Sequence, residues 1–471
     1  MRATKIIATL GPATAAPERV EALLRAGVNT VRLNFSHASH DDHARLVALV
    51  RQTSERLGVH VAVLQDLQGP RIRTGPLRGG GPVELRPGEE LRILHEPIEG
   101  EPGRISSTYP DIHRFLAPGD RVLLDDGRLE AQVLAVEGRD IRTRVTKGGL
   151  LGEFQGINLP GVRLDIPTFT EKDQEDLEFG LGLGVDWVAM SFVNAGEDAR
   201  PAREVMRRLR RPVPLIAKVE RATALDNLDG ILRAFDGVMV ARGDMGVELS
   251  PEEVPVWQRA IIRRARAQGK LAIVATQMLE SMITEPRPTR AEASDVANAV
   301  WEGADAVMLS GETAIGAYPV EAVDVMARII RRAEATSSLD DPGDFRERRP
   351  EAQAVARAAC RMAGDLNASA IVVLTRTGVT AHRVSRHRPS APIIALTSSA
   401  EVARQMNLWW GVLPVMTGLP QITVNNAEIV DTALLAHGLV RHGDQIVLVG
   451  SAPFTARAPT NFLWVRRVEE R

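Results

Sequence analysis

Residues 238–249 read VMVARGDMGVEL. Val238, Met239, Val240 and Ala241 form the apolar, β-branched run of a buried strand. The chain then passes through Arg242, Gly243, Asp244, Met245 and Gly246 before turning apolar again. A carboxylate between two glycines at a strand end is either a turn residue, for purely local reasons, or a ligand. The other strand ends of the chain decide between the two.

Runs of the same kind recur in both directions: KIIATLG (5–11), TVRLNFS (30–36), VAVLQDL (61–67), WVAMSFV (187–193), PLIAKVE (214–220), GVMVARGD (237–244), LAIVATQM (271–278) and AVMLSGE (306–312). Between most of them lie segments such as PERVEALLRAG (17–27) and VWQRAIIRRARAQG (256–269), whose apolar positions recur every three or four residues. Near-continuously apolar strands alternating with helices imply a parallel sheet covered by helices, and eight such units close a TIM (β/α)8 barrel. An open, doubly wound sheet would share that periodicity, so the strand ends carry the argument further. Seven runs place polar side chains there: Arg32, Asn34 and Ser36; Asp66; Ser191; Lys218 and Glu220; Asp244; Thr276; Ser310 and Glu312. In a barrel these ends share one face, where the loops after the strands build the active site. Asp244 is then one member of a ring.

One connection breaks the rhythm. About a hundred residues rich in Gly and Pro, with alternating runs such as RVLLDDGRLEAQVLAV (121–136), separate the third run from the helical TEKDQEDLEFGLG (170–182). They read as a β-rich domain inserted in a strand-to-helix loop, over the barrel mouth, in the place of a lid; an inert insertion is the alternative. After about residue 340, DDPGDFRERRPEAQ leads into a new α/β series: AIVVLT (370–375), PIIALT (392–397), GVLPVMT (411–417) and QIVLVG (445–450). The expected division is a barrel over 1–69 and 166–340, a lid over 70–165, and a C-terminal α/β domain over 341–471.

Composition narrows the function classes. A length of 471 residues has room for a barrel and satellites, and 44% hydrophobic with 25% charged residues is ordinary for a globular enzyme. A net charge of -2 offers no basic field for nucleic acid or an anionic membrane, so an anionic small molecule met by a local cluster is the better expectation. Cys360 is the one cysteine, which rules out an intramolecular disulfide and a cysteine-based metal cluster and fits a reducing cytoplasm. The N-terminal MRATKIIATLGP has too short an apolar stretch for a signal segment or a membrane span and reads as the first strand.

Glu220 and Asp244 end consecutive strands, where two carboxylates suit Mg²⁺, a hard cation that retains waters; a salt-bridged pair of acids is the alternative. Lys218 lies two residues before Glu220 and so on the same strand face. An ammonium there serves a transferring phosphoryl group or a developing enolate, both of which accumulate negative charge, or simply pairs the acids. Arg32, Asn34 and Ser36 share a face by period two, and GPRIRTG (69–75) adds Arg71 and Arg73 for a phosphate or carboxylate. His37, His40 and His43 have poor metal spacing and read as a surface helix start. The chain contains neither a P-loop nor a dinucleotide-binding glycine motif.

The blocks TLGPAT (9–14), VRLNFSH (31–37), DLQGPRIRTG (66–75), GINLPGV (156–162), LIAKVER (215–221), VMVARGDMGVEL, ATQMLESMITEPRPTRAEASDVANAV (275–300) and DAVMLSGETAIGAYPVEAV (305–323) are similar to those of the pyruvate kinases, in order and over essentially the whole chain. The resemblance implies a barrel with a lid inserted after its third strand, a C-terminal regulatory domain and a homotetramer. It implies transfer of phosphoryl from phosphoenolpyruvate to ADP, giving pyruvate and ATP, the last step of glycolysis. Position by position, Glu220 and Asp244 match the family's Mg²⁺ ligands and Lys218 the lysine that stabilises the transferring phosphoryl and enolate. Arg32 and Arg73 match phosphate-contacting arginines, with Arg73 and Asn34 on the nucleotide side. Gly243, Asp244 and Thr276 match substrate contacts, Thr276 near the proton-delivery route. Asn34, Ser36, Asp66 and the Leu67 carbonyl match a monovalent-cation site.

Two departures matter. Where many members read DTKGPEIRT, this chain has Asp66-Leu67-Gln68-Gly69-Pro70-Arg71-Ile72-Arg73-Thr74, which resembles members that work without K⁺, although lysine is usual there at the position of Arg71. Gln155 stands where a nucleotide-contacting lysine is frequent. A Mg²⁺-dependent barrel aldolase and a non-catalytic nucleotide sensor are the competing readings; the lid and the nucleotide-side arginine argue against the first, the joint presence of Lys218, Glu220, Asp244 and Thr276 against the second. At the start of a C-terminal helix, TRTGVTAHR (375–383) either offers Thr375, Thr377, Thr380, Arg376 and Arg383 to a phosphorylated effector or is an ordinary capped helix.

Overall fold

The computed structural model describes residues 2–162, 164–336, 350–417, 427–451 and 459–469. The eight anticipated runs form eight parallel strands that close on themselves: Lys5–Thr9, Thr30–Asn34, Ala62–Asp66, Trp187–Met190, Leu215–Val219, Gly237–Ala241, Leu271–Ala275 and Ala306–Leu309, the last pairing with the first. Alternation sorts their side chains. Ile216 points into the barrel with Ile7, Leu64, Met239 and Ile273, whereas Leu215, Ala217 and Val219 pack outward against the helices. Continuing the inward register of Ile216 by twos reaches Lys218 and then Glu220, which is why both arrive at the mouth.

Several strands end about three residues sooner than their apolar runs suggest. The segment Arg242–Glu248 is a short α-helix, not the tight turn that Gly-Asp-Met-Gly implies. Asp244 therefore sits in a helical first turn, where a carboxylate is favoured by the helix dipole.

Between the third and fourth strands the chain builds the lid. Its six-stranded sheet runs Ile157–Asn158, Arg121–Leu124, Leu129–Glu137, Asp140–Lys147, Glu90–Leu94 and Arg104–Ser106, beside a two-stranded pair. It has its own apolar core around Leu91, Ile93, Val122, Leu124 and Ile141.

The C-terminal domain has a five-stranded sheet ordered Val412–Met416, Ile393–Thr397, Ala370–Leu374, Gln445–Gly450 and Phe462–Arg467. Four strands were expected; the fifth is an antiparallel edge strand beside Gln445–Gly450. The domain seals the barrel end opposite the lid. Leu408 enters the barrel's interior cluster, Arg404 pairs with Asp186 at 2.8 Å, Arg388 pairs with Asp305 at 2.8 Å, and the buried Lys5 donates to the Val412 carbonyl at 2.7 Å.

Candidate active site

Six of the eight strand ends meet at one cluster of charge. Lys218 Nζ lies 3.0 Å from Glu220 Oε1, 3.3 Å from Asp66 Oδ1 and 2.7 Å from Ser191 Oγ. Asp66 Oδ2 in turn accepts from Arg32 Nε at 2.7 Å, and Arg32 Nη1 donates to Thr9 Oγ1 at 3.2 Å. Lys218, Glu220 and Asp66 are all buried. Burial alone would drive the ammonium toward its neutral form, but Asp66, Glu220 and Asp244 more than compensate and hold the Lys218 pKa above its ordinary value. Asp66 is penalised by burial too, yet Lys218 and Arg32 keep it below the usual carboxylate range.

Glu220 behaves differently. Burial, with the charge of Asp244 added, pushes it up to about 7 despite Lys218 and the Phe192 amide, which donates to Oε2 at 2.6 Å. Its Oε1 is buried, and its close partner is the ammonium of Lys218 at 3.0 Å. A buried carboxylate short of positive charge beside a second one is a place for a hard cation. Among the described residues no group of three or more His, Cys, Asp and Glu side chains gathers as a metal site; two carboxylates leave the remaining positions to water and substrate oxygens, as Mg²⁺ prefers.

The Thr276 loop adds the next wall. Thr276 and Gln277 both have left-handed backbones (φ 67° and 56°), and Gly243 N donates to Thr276 Oγ1 at 2.8 Å. Arg242, in the opening motif but assigned no role from sequence, holds this loop through the Thr276 carbonyl and is anchored by Asp295 at 2.6 Å. A Cβ on Gly243 would meet Thr276 Oγ1 at 3.5 Å, an ordinary contact, so the protein's own packing does not require glycine there.

Lid and barrel together enclose a cleft of about 370 Å³ lined by Arg71, Arg73, Gln155, Asp126, Arg221, Asp244 and Glu248. Arg73 and Gln155 lie on one wall, where Arg73 bridges to Gly156 and the Gln155 amide donates to the Glu153 carbonyl at 3.2 Å. Asn34 is not on that wall; it sits at its strand end in register with Asp66, its Oδ1 accepting from Ser36 N at 3.2 Å. Glu248 and Arg221 escaped sequence reasoning. Burial raises Glu248 to about 7; Arg221 opposes the rise, and Asp244 and Glu220 add to it. The regular spacing of charge four residues beyond Asp244, on a helix, would have been the signal. Glu312, a member of the polar ring, instead caps backbone, accepting from Leu279 N at 3.0 Å and Ser310 N at 2.7 Å. The three histidines do not converge on a metal: His40 lies 2.7 Å from Asp176, and His43 is buried against Phe35 rather than on the surface.

An ammonium and a guanidinium held among acids, beneath a lid, serve a reaction whose transition state gathers negative charge on oxygen. By fold and site the chain is a barrel phosphotransferase. Residues 1–323 match the family model "Pyruvate kinase, barrel domain" and residues 353–466 match "Pyruvate kinase, alpha/beta domain". The chain is 45% identical over 471 residues to a pyruvate kinase of Agrobacterium vitis, covering 98% of each chain. It is 45% identical over 470 residues to that of Mycobacterium tuberculosis (strain ATCC 25618 / H37Rv), covering 100% of this chain and 99% of the other. The crystal structure of a pyruvate kinase from Cryptosporidium parvum superposes with a TM-score of 0.91 at 36% identity, over 99% of this chain and 96% of that one. The chain belongs to the pyruvate kinase family: its reaction moves the phosphoryl group of phosphoenolpyruvate to ADP, giving pyruvate and ATP, and requires a divalent metal.

Proposed function

We propose that this transfer runs at the barrel mouth with Lys218 at its centre. The observation that carries the reading is the buried Lys218 ammonium, held within 3.3 Å of Asp66 and Glu220 on the same face as Arg32. As phosphoryl leaves the enol oxygen of phosphoenolpyruvate for the terminal oxygen of ADP, charge grows on the transferring oxygens and on the enolate left behind. Lys218 stabilises both, and Arg32 orients the phosphate. The enolate then takes a proton at its methylene carbon to give pyruvate, and Thr276 lines that route. Gly243 and Asp244 contact the substrate. Glu220 and Asp244 are the residues that would hold Mg²⁺, which would supply further positive charge to the reacting oxygens. Arg73 and Gln155, on one wall of the cleft, receive the nucleotide, whereas Asn34, the third residue expected there, sits at its strand end beside Asp66.

The monovalent-cation site is read as dispensable. Three of its four members already have partners: Asp66 pairs Arg32 and Lys218, Asn34 Oδ1 takes Ser36 N–H, and the Leu67 carbonyl takes the Ser191 hydroxyl at 2.7 Å.

The division into barrel (1–69, 166–340), lid (70–165) and regulatory domain (341–471) belongs to the same proposal, and residues 341–349 lie outside the described ones. A phosphorylated effector at 375–383 is proposed with fewer free groups than the sequence offers. Thr375 Oγ1 accepts from Gly378 N and Thr380 pairs with Thr460, which leaves Thr377 and Arg376 exposed. Assembly as a homotetramer is part of the same proposal and rests on the family resemblance. The single cysteine supports a cytoplasmic setting. Among the described residues no helix is long and apolar enough to cross a membrane.

The test is an assay that couples pyruvate formation to lactate dehydrogenase. Turnover should require phosphoenolpyruvate, ADP and Mg²⁺ together and follow phosphoenolpyruvate saturation differently when sugar phosphates or AMP are added. Activity without ADP, or without added divalent metal after chelation, would overturn the assignment of roles.

A further inference from the structure

We infer that Ser191 is a positioning residue for phosphoryl transfer: its hydroxyl fixes the direction of the Lys218 ammonium from the Leu67 carbonyl. The inference rests on the role proposed for Lys218. Ser191 lies just past the fourth strand, Trp187–Met190, and is 3% exposed. Its Oγ stands 2.7 Å from the Leu67 carbonyl oxygen and 2.7 Å from Lys218 Nζ. A hydroxyl has one proton, a carbonyl can only accept, and an ammonium can only donate. The directions are therefore fixed: Ser191 donates to Leu67 and accepts from Lys218, and it cannot rotate without losing one of the two. The Leu67 carbonyl is itself held, because Leu67 N donates to Ala189 O at 3.0 Å.

The lysine side chain has four rotatable bonds, and its other partners are the carboxylates of Glu220 and Asp66, at 3.0 and 3.3 Å. Attraction to those charges keeps the ammonium near but does little to set its direction, whereas a neutral oxygen with a committed proton supplies a single lone-pair direction. The next residue does the same for the carboxylate. Phe192 has a left-handed backbone (φ 56°), uncommon for a bulky side chain, and that turn aims its N–H at Glu220 Oε2 at 2.6 Å. Its ring is kept in place by the guanidinium of Arg221, 4.9 Å from the ring centroid, and by Gly69, where a Cβ would come within 2.9 Å of Phe192 Cδ2. One turn thus orients the lysine through a side chain and the neighbouring carboxylate through the backbone.

The experiment is a double-mutant cycle on the full-length chain, using Ser191→Ala, Lys218→Met and both together. A hydrogen bond to a charged group sets the scale: Ser191→Ala should lower kcat about 10- to 100-fold, with the phosphoenolpyruvate KM changed by no more than about 2-fold and the thermal midpoint retained. Ser191→Thr, which keeps the hydroxyl, should restore most of kcat. In the Lys218→Met background Ser191→Ala should cost nothing further, because a residue that acts through the lysine has nothing left to position. If alanine unfolds the strand end, Ser191→Cys keeps the volume, loses the strong acceptor and carries the same expectation. A kcat within about 3-fold of the parent, or an equal loss with and without Lys218, would overturn the inference. A Lys218→Met protein with full kcat would instead remove the lysine's role itself, so the two failures are distinguishable.

Discussion

Arg242 Nη2 donates to the Thr276 carbonyl at 2.6 Å, and the neighbouring amide of Gly243 donates to the Thr276 hydroxyl at 2.8 Å. A β-branched residue with φ 67° is strained, at roughly 1–3 kcal/mol for such a backbone, and persists only where its surroundings hold it. Here the holding group is a guanidinium whose other arm is fixed by Asp295 at 2.6 Å. The strand end that follows Ala241 and the one that follows Ala275 are thereby locked to each other.

Arg242→Lys tests that lock. One ammonium cannot reproduce a planar fork that serves both Asp295 and the Thr276 carbonyl. Stability should fall by about 2 kcal/mol, the scale of hydrogen bonds to a charged group, and kcat should fall more than the phosphoenolpyruvate KM rises. Thermal melting and steady-state kinetics on the same preparation check both. A variant that melts earlier with an unchanged kcat would detach the Thr276 loop from turnover.

Lys218→Met should depress kcat on the order of 10²–10³-fold, by analogy with the loss of one preorganised transition-state donor. Phosphoenolpyruvate binding should change far less, since the ammonium acts where charge develops. An effect confined to KM would mark Lys218 as a ground-state binding group.

Metal binding should depend on pH through Glu220. Its carboxyl is raised to about 7 in the metal-free protein, chiefly by burial. For a raised carboxyl, the stability gained from holding the proton is fully present below the ordinary range near ~4.3 and is lost as pH rises through the folded value. Ionised Glu220 therefore weakens the metal-free fold above pH 7, and Mg²⁺ repairs it. Below pH 7 a proton must be displaced first, so Mg²⁺ affinity should weaken by up to about 10-fold per unit. Isothermal titration at pH 6, 7 and 8 measures this, and the Mg²⁺-induced rise in melting temperature should be larger at pH 8 than at pH 6. Asp244→Asn should remove most activity at fixed Mg²⁺ while leaving the fold intact.

The eight barrel strands were legible because most are apolar on both faces, and period two then carried Lys218 and Glu220 to the mouth from Ile216. The helix Arg242–Glu248 was not, since two glycines and an aspartate in seven residues oppose helix formation and tertiary packing decides the outcome. Phe192 shows a second limit. Its left-handed backbone follows from Glu220, Arg221 and Gly69, all distant in sequence, and no local pattern announces it. Arg242 and Asp295 both lie in stretches similar to the pyruvate kinases, but nothing in their spacing of 53 residues pairs them. The edge strand Phe462–Arg467 broke the strand–helix alternation on which the C-terminal domain was read.

His382 should give the C-terminal domain a stability that fails in acid. Burial first, then the nearby cations Arg386, Lys270, Arg383 and Arg388, lower its pKa from the ordinary 6.5 to about 3, and its ring stacks on Trp409. A depressed folded pKa gives stability that is present above the ordinary value and lost as pH falls from there toward the folded one. Relative to His382→Phe, which keeps a ring against Trp409 and cannot titrate, the parent should lose about 2–3 kcal/mol between pH 7.5 and 4.5, at ~1.4 kcal/mol per unit. Denaturant midpoints of the two proteins across that range decide it; parallel curves would show that His382 is not the titrating group.

Activity should not require K⁺. In members that need it, the ion sits among residues matching Asn34, Ser36, Asp66 and the Leu67 carbonyl, with a glutamate at the position of Arg71. Here that position carries an exposed arginine on the cleft wall, beside Arg73. Glutamate to arginine changes the local charge by two units, and a fixed cation there can supply the field that a bound ion supplies elsewhere. The site's own oxygens agree in kind: Asp66 is paired to Arg32 at 2.7 Å and Lys218 at 3.3 Å, and the Leu67 carbonyl takes the Ser191 proton at 2.7 Å. The measurement is kcat/KM in K⁺ against tetramethylammonium at equal ionic strength, where the two should agree. A loss of ~10-fold or more without K⁺, about 1.4 kcal/mol of transition-state stabilisation, would refute the idea. Arg71→Glu should create a K⁺ requirement, because it removes the fixed cation and adds a carboxylate that only a bound ion can offset.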